Sequence, residues 1–194
     1  MSKELQGLRV AILVTDGFEQ VEMTKPREAL QQAGAEAHLI SPKSGEVQGM
    51  NHDRPGDKFA VDKTLDSVSA KNYDAYLQPG GVANPDRLRM IPKAVQFVKD
   101  FHEQNKPMAV ICHGPWMLVE AGVINGKNLT SWPSLKTDIR NAGGNWMDQE
   151  VVVDGNLVTS RKPDDLPAFN REMIKLFSHS VSETEPAGAG RKQR

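Results

Sequence analysis

Cysteine is almost absent: Cys112 is the only one in 194 residues. One cysteine closes no internal disulfide, so the fold does not depend on oxidation. An excess of either charge is missing as well. The chain has 24 basic and 25 acidic residues and a net charge of -1. That balance excludes a broad electrostatic surface for nucleic acid or an acidic membrane. No apolar run approaches the ~20 residues that a membrane span needs. The opening residues, Met1-Ser2-Lys3-Glu4-Leu5-Gln6, contain no apolar core of a secretory signal, so a cytoplasmic protein is expected. The histidines (His38, His52, His102, His113 and His179) are scattered without ligand spacing, so no metal is expected. There is no phosphate-loop pattern and no internal repeat.

What is there centres on Val110-Ile111-Cys112-His113-Gly114-Pro115. Met108 to Ile111 is a short apolar run, and Trp116 to Ala121 with Gly122 behind it has the pattern of a helix closed by glycine. The spacing predicts a buried strand, a sharp turn carrying Cys112, and a helix: a nucleophile elbow. Backbone N–H groups at a helix start favour an anion. Such a site can lower a cysteine pKa from about 8.5 to roughly 3.5–7.5 and stabilise an oxyanion. A buried structural cysteine is the competing reading.

Around this segment, strands and helices alternate. Leu8 to Val14 is a near-continuous apolar run, as expected of a parallel strand buried on both faces. A helix is expected from about Val21 to Ala33, with Pro26 awkward inside it. Ala35–Ile40 and Ala75–Gln78 complete further strands, and Ser41 to Lys63 a polar excursion or hairpin. His52-Asp53-Arg54 within the excursion is expected to be a solvated loop. Pro85 to Gln104 is helical and broken near Pro92. A short helix from Leu135 to Ala142, a hairpin over Glu150–Ser160 and a last helix from Pro163 to Phe177 follow. One domain over 1–178 and a disordered tail over 179–194 are expected. The fold class is α/β: a three-layer α/β/α sandwich around a mostly parallel, flavodoxin-like sheet with a cysteine elbow. In that topology Asp16–Glu22, Pro79–Asp86 and Cys112–Pro115 are loops at strand ends and form one pocket.

Several stretches, in this order and spacing, resemble the PfpI-type members of the class I glutamine-amidotransferase-like superfamily. They are Gly17-Phe18-Glu19-Gln20-Val21-Glu22, Pro79-Gly80-Gly81, Ala109 to Pro115, Ala121-Gly122-Val123-Ile124, and Val151 to Arg161. The resemblance covers about Leu8 to Phe177. Proteins of this type are known as intracellular protease I, general stress protein or protein deglycase. The resemblance implies that Cys112 is the nucleophile, His113 its partner and Glu22 a carboxyl beside the sulfur. Burial and neighbouring charge would keep Glu22 protonated, so that it donates a hydrogen bond. Gly80 and Gly81 match the oxyanion-hole loop, and Glu19 is a second carboxylate on the segment of Glu22. At Asp86 the resembling proteins carry a glutamate that reaches the histidine of a neighbouring subunit, and an aspartate is one methylene shorter. Gln78 replaces an apolar residue, and Trp132 shapes the pocket wall. A homo-oligomer, at least a dimer, is implied, and no cofactor.

Three functions follow. The first is a stress-related, cysteine-dependent enzyme acting on reactive carbonyls, of glyoxalase III or protein deglycase type. Its substrates would be small aldehydes such as methylglyoxal, or glycated protein or nucleotide amines. The second is an intracellular cysteine peptidase. The third is a non-enzymatic redox-responsive stress protein, since an exposed thiolate oxidises readily.

Overall fold

The computed structural model describes residues 4–184. In chain order the strands and helices are β1 (Arg9–Leu13), β2 (Phe18–Glu19), α1 (Gln20–Gln32), β3 (Glu36–Ser41), β4 (Glu46–Asn51), β5 (Arg54–Ala60), β6 (Lys63–Thr64), β7 (Ala75–Gln78), α2 (Ala83–Leu88), α3 (Pro92–Glu103), β8 (Met108–Ile111), α4 (Pro115–Ala121), β9 (Asn128–Leu129), α5 (Lys136–Asn141), β10 (Asn145–Trp146), β11 (Val151–Asp154), β12 (Leu157–Ser160) and α6 (Leu166–Thr184).

Seven strands form the central sheet in the order β11-β12-β8-β7-β1-β3-β6. All neighbours are parallel except β11 against β12. The five main parallel strands therefore take the flavodoxin order, with the switch point between β1 and β7. A parallel strand is covered on both faces, which is why β7 and β8 are buried at every position. Alternation sorts their side chains. Met108 and Val110 pack with Phe97, Phe101 and Leu118 on the α3–α4 face. Ala109, Ile111 and Cys112 pack with Met23, Phe169 and Phe177 on the α1–α6 face. Each large side chain buried this way contributes roughly 1.5–3 kcal/mol.

Pro26 lies inside α1, as the expected range implies. With no N–H to give, it leaves the carbonyl of Glu22 without its helical donor. Three details differ from expectation. The excursion forms a separate three-stranded sheet, β2-β4-β5, over the start of α1. The two-stranded sheet β9-β10 had no signal in the pattern because each strand is two residues long. Finally, α6 runs to Thr184, past the expected end near Ser178. A helix nucleated by packed residues propagates through polar ones at little cost. The rest of the expected tail, 185–194, lies outside the described residues. Among the described residues no helix is long and apolar enough to cross a membrane.

Candidate active site

The three expected loops converge. Glu19, Glu22, Gly81, Cys112, His113 and Trp132 line a single cavity of about 370 Å³ at the carboxyl ends of the strands. Strand β8 delivers Cys112 there. Its backbone is left-handed, φ 62°, at the junction with α4. No helix ends at this point and no glycine relieves the conformation, so the strain, of order 1–3 kcal/mol, is held by the surroundings. The Cys112 N–H donates to the Ser160 carbonyl at 3.0 Å, and the Trp132 N–H donates to the Cys112 carbonyl at 2.9 Å.

Glu22 is fully buried on the first turn of α1. Its Oε2 accepts the Gly80 N–H at 2.8 Å. Its Oε1 has no hydrogen-bond partner among the described residues, and the carboxyl lies beside the Cys112 side chain. Burial, reinforced by the charge of Glu19, pushes Glu22 up to about 8. A carboxyl raised this far holds its proton at neutral pH. The cysteine shifts in the opposite sense to the depression a helix start suggests. Burial, followed by the charge of Glu22, drives the Cys112 thiol upward, and the amides of Gly81 and His113 aimed at the sulfur only oppose this in part. The helix-start argument left out the cost of burying a charge, which here exceeds the gain from two amides.

The glycine loop is needed for close approach. A Cβ on Gly80 would stand 2.6 Å from Glu22 Oε2 and 2.7 Å from Cys112 Cβ. Gly81 has φ 76°, and a Cβ there would meet the Gly17 carbonyl at 2.6 Å. The oxyanion expectation needs correction at Gly80, whose N–H is already given to Glu22. The amides directed at the reacting centre are those of Gly81 and His113. Beneath the loop runs a buried polar network. Tyr76 donates to Gln78 Oε1, and Gln78 Nε2 donates to the Leu13 and Pro79 carbonyls. Asn84 donates to Pro79 and accepts from Thr15 N–H. Gln78 is thus satisfied in the core and anchors the loop from below.

His113 Nδ1 sits 3.3 Å from the Cys112 sulfur, and Nε2 3.5 Å from the Ser134 hydroxyl. Its ring stacks on Trp132 and meets Trp116 edge-on. Burial lowers His113 to about 4, so the ring is neutral at neutral pH and a weak base. Trp132 is a wall residue, as expected. Asp86, whose expected role is toward the histidine of a neighbouring subunit, does not line the cavity of its own chain. It is exposed on α2, outside the cavity, and makes no hydrogen bond to His113 within this chain. Glu19 lines the cavity at the N-cap of α1, and its carboxylate accepts the His52 N–H at 3.1 Å.

Sequence reasoning missed Met50, His52 and Pro163, which line the same cavity. His52 and Asp53 are an exposed turn, Arg54 instead opens β5, and His52 also reaches the pocket. Only the pairing of β4 with β2 reveals this, and that contact is non-local. Among the described residues no group of three or more His, Cys, Asp or Glu is arranged to hold a metal.

Comparisons with known proteins cover most of the chain. The model of the DJ-1/PfpI family matches residues 8–176. YraA of Bacillus subtilis (strain 168), whose name provisionally gives a cysteine protease, is 44% identical over 170 residues, 87% of this chain and 98% of its own. Protein/nucleic acid deglycase 2 of Escherichia coli (strain K12) is 44% identical over 171 residues, 87% of this chain and 97% of its own. The crystal structure of Drosophila melanogaster DJ-1beta superposes with a TM-score of 0.80 at 25% identity, over 94% of this chain and 95% of that one.

Proposed function

The chain belongs to the DJ-1/PfpI family, and from that premise we propose that it is a cysteine-dependent enzyme acting on reactive carbonyls through Cys112. The observation that carries this reading is the Cys112–Glu22 contact. A buried carboxyl at about 8, in contact with a buried thiol, is a base matched to neutral and mildly alkaline pH. An ordinary carboxylate near 4 is too weak for this, and so is His113 at about 4. The two groups titrate as a unit. Loss of one proton from the pair leaves a single negative charge and one proton between sulfur and carboxyl.

From that state the sulfur adds to an aldehyde carbon. The S–C bond forms, the C=O π bond breaks, and the oxygen takes the pair's proton to give a hemithioacetal. The Gly81 and His113 amides face this centre and would stabilise the developing oxyanion. With methylglyoxal, Glu22 would next move a proton from C1 to C2, converting the hemithioacetal into a lactoyl thioester. Water then releases lactate and regenerates the thiol. The sum is methylglyoxal plus water giving lactate, with no external oxidant or reductant. In an early hemiaminal adduct the S–C bond forms at the same carbon as the C–N bond breaks, the amine leaves with the pair's proton, and the same hemithioacetal results.

A peptidase is the second reading, favoured by the 3.3 Å contact between Cys112 and His113. It ranks lower because acyl transfer uses a histidine base held by a third group. Here Nε2 faces a hydroxyl, that of Ser134.

The test is lactate formation from methylglyoxal by metal-free protein beside Cys112→Ser. Lactate from wild type, and none above background from the mutant, supports the carbonyl reading. If reduced, folded wild type makes no lactate and cleaves a peptide in a Cys112-dependent manner, the second reading replaces the first.

A further inference from the structure

Three fully buried polar side chains lie behind the glycine loop: Tyr76, Gln78 and Asn84. Burying an amide or a hydroxyl is costly unless its polar atoms are paired. Here the pairing also has a direction. Tyr76 donates to Gln78 Oε1, which turns Nε2 to the Leu13 carbonyl at 3.2 Å and the Pro79 carbonyl at 3.0 Å. The opposite amide orientation would set Oε1 against two carbonyl oxygens, which have no proton to give. Asn84 is fixed in the same way. Its Oδ1 accepts the Thr15 N–H at 2.8 Å, which leaves Nδ2 for the Pro79 carbonyl at 3.1 Å. One carbonyl thus takes two side-chain donors, one from the end of β7 and one from α2.

That carbonyl belongs to the peptide unit whose N–H is that of Gly80. A trans peptide is planar, so its C=O and N–H point in opposite directions. Holding the oxygen therefore aims the N–H, which bonds Glu22 Oε2 at 2.8 Å. The next peptide unit is held likewise. The Gly80 carbonyl accepts the Glu19 N–H at 3.3 Å, and the Gly81 N–H is directed at the Cys112 sulfur. Two successive glycines have no side chains to restrain these planes, so the restraint comes from outside the loop. Gln78 also touches the second loop of the site. A Cβ on Gly114 would stand 3.0 Å from Gln78 Cγ, so the glutamine stem packs against the elbow next to His113, the other amide donor.

Resting on the Cys112–Glu22 site of the proposed reaction, we propose that Gln78 is a positioning residue: it fixes the Pro79–Gly80 peptide plane that turns the Gly80 N–H onto Glu22, and it spaces the glycine loop from the elbow. Tyr76 locks its amide, and Asn84 is the second donor to the same carbonyl.

The consequence is measurable without turnover. The Gly80 N–H opposes the upward shift of Glu22. Freeing the plane weakens that bond, so the carboxyl keeps its proton to higher pH. The other titratable groups around the carboxyl are Glu19 on its own segment, Cys112 and His113 on the elbow, and His52 on the β4–β5 turn, all lining the same cavity. No lysine or arginine is among the residues lining it.

The test is the pH midpoint of Cys112 alkylation by iodoacetamide in two variants whose fold is checked by circular dichroism. Gln78→Met keeps an unbranched stem and removes the amide. Tyr76→Phe with Gln78→Met also removes the hydroxyl that the single change leaves buried and unpaired. Both are expected to raise the midpoint by at least about 0.5 unit, since the lost bond favours the charged carboxylate. A side chain that only fills the core would cost stability and leave the midpoint in place, so a wild-type midpoint in either folded variant overturns the proposal. If neither variant folds, wild type is followed by NMR across the same pH range. The Gln78 side-chain amide signals should then move with the same midpoint as the Gly80 amide, because one polarised peptide joins them. Gln78 signals that stay still while Gly80 moves overturn the proposal. Absence of lactate in the turnover assay is a separate failure, that of the carbonyl reading itself.

Discussion

The sheet has a cavity at each end, and the two make an informative pair. The upper one, at the strands' carboxyl ends, holds Cys112. The lower one lies where β8 and β12 begin, beside Asn105, Lys106, Lys127 and Asn156, with a volume of about 300 Å³ against 370 Å³ above. Each also has left-handed residues that are not glycine, Cys112 and His52 above and Asn105 below. Volume and backbone geometry alone therefore do not tell them apart. Their polar groups do. Below, Lys106 Nζ donates to the Ala70 and Tyr73 carbonyls, and Asn156 donates to the Asn105 carbonyl and side-chain oxygen. The conformation of Asn105 is that of a residue ending α3, with its N–H on the His102 carbonyl and the next N–H on Phe101. Every unusual feature of the lower end has a structural purpose. Above, Cys112 is strained where no helix ends, and Glu22 keeps an unpartnered buried oxygen. A fold that served only stability would not retain these features.

Substitutions should break the pair unequally. Glu22→Gln keeps the shape and removes the base, and turnover should fall about 10²–10³-fold, within the usual range for acid–base groups. Steady-state kinetics on lactate formation would read it. Gly80→Ala comes next. Its Cβ would press on Glu22, Cys112 and the His113 backbone, all under 3.0 Å. A fall of about tenfold or more in kcat is expected, and circular dichroism would confirm that the fold survives. At the lower end, Lys106→Met removes two hydrogen bonds while keeping the stem. It should lower stability by about 1 kcal/mol in urea unfolding and leave turnover within about twofold.

Stability against pH separates the ends further. Glu22 rises from 4.5 in the unfolded chain to about 8, so the folded state holds a proton the unfolded state has lost, and stability falls as pH climbs through that window. His113 drops from 6.5 to about 4, so the unfolded state holds the extra proton and stability rises with pH between those values. The two slopes oppose each other below 6.5, leaving a net decline from 6.5 to about 8. Urea midpoints across that range should fall in wild type and stay level in Glu22→Gln.

Much of this was readable from residues alone, because the signals were local. The near-continuous apolar run of β1, the glycine after α4 and the Asp154-Gly155-Asn156 turn each announce an element within a few residues. The cysteine elbow is equally local. What stayed hidden depends on distance in three dimensions. The seat of His52 beside Glu19 is set by β2 pairing with β4, thirty-odd residues along the chain. The upward shift of Cys112 needs its burial to be known, and a helix start by itself suggests the opposite sign. The diversion of the Gly80 N–H to Glu22 follows from the packing of α1 under the loop. Asp86 is exposed on α2, and the family pattern at its position is one that a second subunit completes.

The central claim is that Cys112 and Glu22 share one titration. It is tested most directly by the rate of Cys112 alkylation by iodoacetamide across pH 5 to 10, in wild type and Glu22→Gln. The account predicts a wild-type rate that rises with a midpoint near 8, the value set by buried Glu22, and loss of that midpoint in the variant. A midpoint that persists unchanged in Glu22→Gln, or one near 4 that tracks His113, would contradict it.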